Sequence, residues 1–518
     1  MQSTNYKLEK LIKIICLVIS IGGIILTIAL FSTNSGDALV TLVTSKSFQN
    51  GFFFFGPEGP KWSTTSPLQA LLFAPFYIFI TNSPIIIFKI INLVLFVGTG
   101  FLLFKISQKI VNNKIFSYLT LAIWLGNPYL FYLTAALYDS ILMAFLVSLF
   151  ILKLLDFNKL HLFKKLTMKD WIEIGIIAAL LPLVRPEAIL ISLLGYLYLF
   201  VLNSRIDKKF YSRFLLSFII FILIFCPYYI YLGIVTHQLI PSSIAARATM
   251  HLSIFNFLES IKPLFSLYWQ YLIIYFLFIT SFLSFVFFKK IANTSKSNLK
   301  FLLILITLFL PIFIISGQPR YLSSIIPILT LLSAFFFYQI YFYLFLKCKF
   351  FKEIVITTSI LIVIILVYSY GYVYENIPRY NLDLIFEKDA ADILNKITFP
   401  DDKVLAYEAQ IQYFLNSSII SLDGIVGGEI LPYFRKQTDL RDFLLNYRPN
   451  YIIVSDAFKY RDEYNNTVFR WLYSEDLNII IGNSYNIDNI IFTKIAENRK
   501  NEIAGFNQWK SIYHIQYK

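Results

Sequence analysis

The sequence predicts a polytopic α-helical membrane protein with about eleven spans and a C-terminal external α/β domain. Of the 518 residues, 57% are hydrophobic, 18% aromatic and only 15% charged, more apolar than the core of a soluble protein requires. The apolar residues gather into runs, and one bilayer crossing takes roughly 17–25 of them. We place the spans at about 11–31, 84–104, 114–133, 139–154, 171–183, 188–203, 212–233, 264–288, 300–316, 321–346 and 353–373.

The net charge of +14 is distributed as in a membrane protein. Lysines and arginines occupy alternate loops between the apolar runs, which is typical of cytoplasmic loops and not of a nucleic-acid-binding face. We therefore expect no nucleic-acid partner and a cytoplasmic N-terminus. The loop 32–83, the turn at 139, the loop 234–263 and the turn 318–320 then face outward, and so does the C-terminus because the number of spans is odd.

The apolar stretch Pro67–Thr81 needs a separate interpretation. If it crossed the membrane, it would reverse the charge pattern of everything that follows it. We therefore expect a helix in the outer interface, where aromatic side chains such as Trp62 and Tyr77 are favoured. A true span is the alternative.

From residue 375 onward, charged and polar residues become more frequent. Helical patterns at 384–397 and 440–445, with strand patterns at 403–407, 418–422 and 451–454, predict a small α/β domain. The sequence thus divides into a transmembrane domain at 1–374, which contains the long first external loop 32–83, and a soluble external domain at 375–518.

Two acidic residues stand at the predicted outer face. Asp37 lies in the first external loop, and Asp139 lies at the outer end of a span. Acids at such positions are costly to place and therefore indicate a function. The alternative is that each caps the helix that follows it, since aspartate is a favoured N-cap residue.

The first loop is dense in turn residues: Gly36-Asp37-Ala38, then Gly56-Pro57-Glu58-Gly59-Pro60, then Thr65-Ser66-Pro67-Leu68. This order resembles the first external loop of the C-fold (GT-C) membrane glycosyltransferases that use lipid-phosphate sugars. The resemblance is strongest to the bacterial arabinofuranosyltransferase- and mannosyltransferase-like branch. It continues at Arg185-Pro186-Glu187, in the segment from Leu239 to Arg247, and at Arg320-Tyr321, which is followed by Pro327.

The resemblance implies a GT-C fold and transfer of a hexosyl or pentosyl group from a polyprenyl-phosphate sugar donor. The acceptor would be a cell-envelope glycan, lipid or protein at the outer face of the membrane. Asp37 occupies the position of the catalytic carboxylate, a base for the acceptor hydroxyl. Asp139 occupies the position of a second acid, which orients the acceptor or binds a metal. The family commonly has two adjacent acids where this chain has Gly36-Asp37.

The leaving phosphate is an anion, so the site needs cations. The resemblance assigns donor-phosphate binding to Arg185, Arg247 and Arg320, although arginines can also snorkel to lipid headgroups. Other candidate substrate contacts are Lys46, Glu187, His237 and Tyr321. A Mg²⁺ or Mn²⁺ ion could bind oxygen ligands from Asp37 and Asp139.

Two other functions fit a chain with this many spans. One is a polymerase or ligase that acts on lipid-pyrophosphate oligosaccharides, and the other is a non-catalytic flippase or transporter. A transporter is expected to carry ionisable groups within its spans, whereas here the spans contain few of them and the charges collect at the faces. This distribution favours an enzyme.

Overall fold

Long apolar runs fold into helices because a helix satisfies its own backbone hydrogen bonds where no water is present. The computed structural model describes residues 2–33, 35–48, 66–80, 84–157, 167–202, 208–236, 276–277, 279–281, 283, 325–347, 371, 387–406, 409–421, 440–455, 484–487, 490–503 and 506–518. In chain order the helices are α1 (Gln2–Ala29), α2 (Gly36–Ser47), α3 (Pro67–Phe79), α4 (Ile85–Val111), α5 (Lys114–Leu125), α6 (Pro128–Ala135), α7 (Ser140–Phe157), α8 (Met168–Val184), α9 (Ile189–Leu202), α10 (Lys208–Thr236), α11 (Ile326–Lys347) and α12 (Leu440–Tyr447).

The chain divides into two compact units. The first comprises residues 1–33, 85–227 and 263–376, and the second comprises residues 34–84, 228–262 and 377–518. The helices α2 and α3 of the first external loop therefore group with the C-terminal region.

Within the described residues, four helices are long and apolar enough to cross a membrane. They are Glu9–Ala29, Ile85–Val111, Ser140–Phe157 and Lys209–Ile234. These helices coincide with predicted spans, whereas the spans predicted at 264–288, 300–316 and 353–373 fall mostly outside the described residues. The protein is a helical membrane protein, as predicted.

The single span predicted at 114–133 is wrong, because this segment forms two helices. Helix α5 ends at Leu125, and α6 begins at Pro128. The Asn127 side chain accepts a hydrogen bond from the backbone N–H of Tyr129 at 3.0 Å, which caps α6. Pro128 has no N–H to continue a helix and favours the first helical position.

Helix α4 is central to the packing of the first unit, where it contacts α5 and α7, and α7 packs in turn against α8. The Trp124 indole N–H donates to the Phe96 carbonyl at 2.9 Å, which joins α5 to α4. The Phe96 ring also contacts Phe131 of α6 edge to face, with 6.5 Å between centroids. These contacts fix the turn that follows α6, where Asp139 lies.

The second unit contains a six-stranded sheet. Its strands are β1 (Lys403–Ala406), β2 (Ser418–Ser421), β3 (Tyr451–Ser455), β4 (Ser484–Ile487), β5 (Ile490–Ile503) and β6 (Phe506–Tyr517), in the spatial order β2-β1-β3-β6-β5-β4. Strands β2, β1 and β3 are parallel, and β6, β5 and β4 add in antiparallel fashion. The three predicted strands are confirmed as β1, β2 and β3, whereas β4, β5 and β6 were not predicted.

Helices α2 and α3 pack against each other in this second unit. Helix α3 has 13 residues, so it is about 20 Å long, less than the roughly 30 Å of bilayer hydrocarbon. Its length favours the interfacial interpretation over a true span.

Candidate active site

An ion-paired cluster joins three of the predicted residues in the first unit. The Arg185 guanidinium faces the Asp139 carboxylate with two arms: Nε donates to Oδ2 at 3.1 Å, and Nη2 donates to Oδ1 at 2.6 Å. A third arm, Nη1, lies 3.7 Å from Oε1 of Glu187. We call Asp139, Arg185 and Glu187 the triad. The Arg185–Asp139 pair is bidentate, with two parallel N–H···O hydrogen bonds, which is the strongest geometry in which arginine binds a carboxylate.

Local sequence places each member of the triad. Helix α8 ends at Val184 because Pro186 follows, and Arg185 is left in an extended conformation at the helix end. The short 3₁₀ helix Pro186–Ala188 then brings Glu187 next to it. As a result, the side chain of Arg185 reaches the start of α7 instead of continuing along α8.

Asp139 is presented by a tight turn between α6 and α7. Leu137 adopts a left-handed backbone conformation with φ of 64°, which is costly for a leucine. The Asn92 amide of α4 donates to the backbone carbonyl of Tyr138 at 3.3 Å. A strained residue held by contacts from another helix indicates that the position of Asp139 is fixed by its surroundings.

The triad is largely shielded from water, since the side chains of Arg185, Asp139 and Glu187 are 6%, 11% and 18% exposed. Burial by itself lowers the pKa of Arg185, but the facing carboxylates of Asp139 and Glu187 more than offset it, so the pKa is raised. One positive and two negative groups leave an excess negative charge. The arrangement can present the Asp139 carboxylate, in a fixed orientation, to a hydroxyl group or to a cation.

The other predicted acid, Asp37, lies in the second unit as the second residue of α2, and its side chain is outside the described part of the chain. Lys46 lies in the last turn of the same helix. Nine residues separate the two positions, which corresponds to about 13 Å along the axis and about half a turn of rotation. Lys46 and Asp37 therefore occupy opposite sides and ends of α2.

Lys46 contacts an aromatic residue of its own unit, Tyr413. Its Nζ lies 5.7 Å from the ring centroid of Tyr413, whose hydroxyl accepts a hydrogen bond from the Tyr77 hydroxyl at 3.3 Å. Although Lys46 is exposed, the protein atoms around its ammonium lower the pKa of this group by desolvation. The contact is an exposed cation–π interaction, worth roughly 0.5–1 kcal/mol.

The remaining predicted residues Arg247, Arg320, His237 and Tyr321 lie outside the described residues. Among the residues that the structure describes, no group of three or more His, Cys, Asp or Glu side chains could hold a metal ion. Each oxygen of Asp139 accepts one hydrogen bond from Arg185, and an ionised carboxylate has lone pairs for further partners. A metal held jointly by Asp37 and Asp139 stays a prediction.

Lys89 is a residue that the sequence analysis missed. It is 1% exposed inside α4, and its ammonium donates to the carbonyls of Phe31 and Thr33, the latter at 2.5 Å. It thereby satisfies carbonyls where the chain leaves α1. A lone lysine within the apolar run 84–104 is the signal that could have identified it.

No protein-family model and no curated protein matches the chain in sequence. In structure, the chain is similar to the Archaeoglobus fulgidus oligosaccharyltransferase tethered to an acceptor peptide with an NVT sequon. The TM-score is 0.53 and the identity 11%, over 90% of this chain and 72% of that one. It is also similar to ArnT from Cupriavidus metallidurans bound to undecaprenyl phosphate, with a TM-score of 0.50 and 11% identity over 88% and 94% of the two chains.

A further similar structure is the Archaeoglobus fulgidus oligosaccharyltransferase AglB in complex with an inhibitory peptide and a dolichol-phosphate. It matches with a TM-score of 0.52 and 12% identity, over 90% of this chain and 72% of that one. At such identities the likeness defines the fold. The chain has the GT-C membrane fold with an external C-terminal domain, and the predicted arabinofuranosyl- or mannosyltransferase-like branch remains a prediction.

Proposed function

We propose that the protein transfers a sugar, hexosyl or pentosyl, from a polyprenyl-phosphate donor to a cell-envelope glycan, lipid or protein at the outer face of the membrane. The observation that supports this best is the buried triad, which presents an oriented acid on a GT-C fold. The similar structures contain dolichol-phosphate, undecaprenyl phosphate or an acceptor peptide, and these are the donor-lipid and acceptor classes that the proposal invokes.

In the proposed reaction Asp37 is the general base. It takes the proton of the acceptor hydroxyl as the oxygen forms a bond to the anomeric carbon. The bond from that carbon to the phosphate oxygen breaks, and its electron pair leaves with the polyprenyl phosphate. Asp37 lies in the first turn of α2.

The contacts of the triad favour a positioning role for Arg185 over direct binding of the phosphate. The Nε and Nη2 groups of Arg185 already donate hydrogen bonds to Asp139, and together they hold this carboxylate in one orientation. We assign Asp139 to the acceptor, as an oxygen that accepts from a hydroxyl. Binding of the leaving phosphate is then assigned to Arg247 and Arg320, with His237 and Tyr321 as further substrate contacts.

The proposed location is the cell membrane, with the N-terminus in the cytoplasm and the sheet domain outside. The alternating basic loops support this orientation. The described part of the sheet domain contacts α2, and its Tyr413 hydroxyl accepts a hydrogen bond from Tyr77 of α3, which favours a role in shaping the site over independent catalysis. A Mg²⁺ or Mn²⁺ ion stays a predicted cofactor, which the steps written here neither require nor exclude.

The test uses membranes that contain the native chain or Asp37→Asn at matched abundance. A panel of radiolabelled polyprenyl-phosphate sugars, including mannose and arabinofuranose, is offered as donor. We expect the native chain to consume one donor and Asp37→Asn to lose at least 100-fold in rate, at the low end of the usual contribution of a general base. Asp389→Asn is a matched control in the helical residues 387–394 of the external region.

Other outcomes would contradict the proposal. Equal turnover by native protein and Asp37→Asn would make α2 a structural helix and overturn the assignment of the base. The same membranes are also offered lipid-pyrophosphate oligosaccharides, and consumption of these alone would favour a polymerase or ligase. If no donor is consumed but a labelled lipid crosses the membrane, the flippase alternative is correct.

A further inference from the structure

The short 3₁₀ helix Ala409–Tyr413 of the external domain contacts both ends of the helix that carries Asp37. We call this element the 409–413 segment. It lies between β1 and β2 in the sequence and belongs to the same compact unit as α2 and α3. The sheet alone does not account for this segment, because the side chains of Gln410 and Tyr413 reach α2 and α3, the two helices of the first external loop.

The segment is fixed firmly to the sheet. Gln412 donates through Nε2 to the carbonyls of Ser417 at 2.8 Å and Leu415 at 3.2 Å. Its Oε1 accepts from the backbone N–H of Ile419 in β2 at 2.9 Å. Asn395 adds a hydrogen bond to the carbonyl of Phe414 at 2.9 Å. The segment is thus a rigid projection of the sheet.

At the first contact, Gln410 occupies the space beside Gly36. A Cβ atom placed on Gly36 would lie 1.4 Å from Oε1 of Gln410 and 2.6 Å from its Cδ. Gln410 is buried, and Gly36 is the first residue of α2, directly before Asp37. Only a residue without a side chain leaves room for this amide.

At the second contact, Tyr413 reaches the opposite end of α2. Its ring lies below the ammonium of Lys46 in the last helical turn, and its hydroxyl accepts from Tyr77 of α3. Helix α2 has 12 residues and is about 18 Å long. Contacts at its first residue and in its last turn restrain both its tilt and its rotation.

We propose that Gln410 and Tyr413 are positioning residues that set the orientation of α2 and hence of Asp37. The proposal rests on the proposed function, in which Asp37 is the base. The external domain then acts on the chemical step and not only on acceptor binding. Positioning of a catalytic group is worth large factors in rate, because a misplacement of about 1 Å can cost roughly 100-fold.

The variants separate positioning from folding. Gln410→Met keeps the length of the side chain but removes the amide. Tyr413→Leu removes the ring beside Lys46 and is expected to change exchange and kcat in the same direction as Gln410→Met. Gly36→Ala displaces Gln410 from the other side without altering the external domain. Gly22→Ala is the matched control, because a Cβ at Gly22 in α1 would meet nothing within 4 Å.

Two measurements on the purified full-length protein test the inference. Hydrogen exchange of the peptide that covers residues 36–47 reports on α2, and kcat and the donor KM are measured with the polyprenyl-phosphate sugar that native membranes consume. For Gln410→Met and Gly36→Ala we expect exchange at least fivefold faster and kcat at least tenfold lower, with the donor KM within twofold of native. Gly22→Ala should match the native protein in both measurements.

The outcomes distinguish this inference from the proposed function. Unchanged exchange and unchanged kcat in Gln410→Met and Gly36→Ala would overturn the inference while the proposed function stands. Faster exchange in a protein whose native form consumes no donor would support the contact with α2 and overturn the proposed function. If Gln410→Met does not fold, Gly36→Ala decides, since its only demand is that one flexible side chain shifts.

Discussion

Removing Arg185 is expected to destabilise the protein strongly. In Arg185→Met the side chain keeps much of its volume, but the carboxylates of Asp139 and Glu187 lose the cation between them. Arg185 is 6% exposed on its side chain and makes two hydrogen bonds to Asp139, so the pair counts as buried. Breaking a buried pair from one side costs about 3–5 kcal/mol, because an uncompensated charge remains.

The converse substitution, Asp139→Asn, should cost less. It removes one of two negative charges and leaves Arg185 beside Glu187, so the cluster becomes neutral. The loss is then that of charge-assisted hydrogen bonds, about 1.5–3 kcal/mol. The double variant Asp139→Asn/Arg185→Met should be more stable than the sum of the two single changes predicts, because the two residues contact each other directly.

The assay heats detergent-solubilised protein and measures the fraction that remains monodisperse. Lys153→Met is the matched control, because Lys153 pairs with Glu173 at the predicted cytoplasmic side, where the two side chains are 26% and 31% exposed. Such a partly exposed pair is expected to contribute about 1 kcal/mol or less. If Arg185→Met melts at the same temperature as Lys153→Met, or if the double variant is strictly additive, the triad is not coupled and the argument is refuted.

Two further substitutions test the packing of the first unit by the same melting assay. Lys89→Met should lose about 1–3 kcal/mol, because it leaves carbonyls at the end of α1 without a donor; Lys105→Met, at an exposed site of the same helix, should change stability little. Gly195→Ala should lose about 1–3 kcal/mol, because its Cβ would lie 2.4 Å from the Phe150 ring. Gly22→Ala should be at least as stable as native, and equal melting of the two alanine variants would contradict the packing described here.

The sequence predicts well where hydrophobicity alone determines the outcome. The helices α4, α7 and α10 follow from apolar runs, since the bilayer allows few other structures for them. The error at 114–133 has a local cause, because Asn127-Pro128 starts a new helix without interrupting the apolar composition. The strand β5 was missed because Glu497–Lys500 are polar and charged, a composition that is typical of loops.

The candidate site is less predictable because it depends on distant pairings. The sequence singled out Asp139 and Arg185, yet assigned them to different substrates, and nothing in their separation of 46 positions indicates that they pair. Their pairing depends on the left-handed turn at Leu137 and on the end of α8 before Pro186. Such features are visible only once the helices are packed.

The charge of the triad has a consequence for which substrate it can face. Its two carboxylates and one guanidinium sum to a net charge of −1. A substrate group with one negative charge, placed about 8 Å from the triad, would be repelled by about 2 kcal/mol at an effective dielectric constant of 20. A leaving phosphate gains negative charge as the sugar departs, so a group placed to stabilise it should be cationic. A neutral hydroxyl meets no such penalty and gains a hydrogen-bond acceptor. Electrostatics therefore supports the proposal that Asp139 faces the acceptor and not the donor phosphate, and the proposal assigns the phosphate to Arg247 and Arg320.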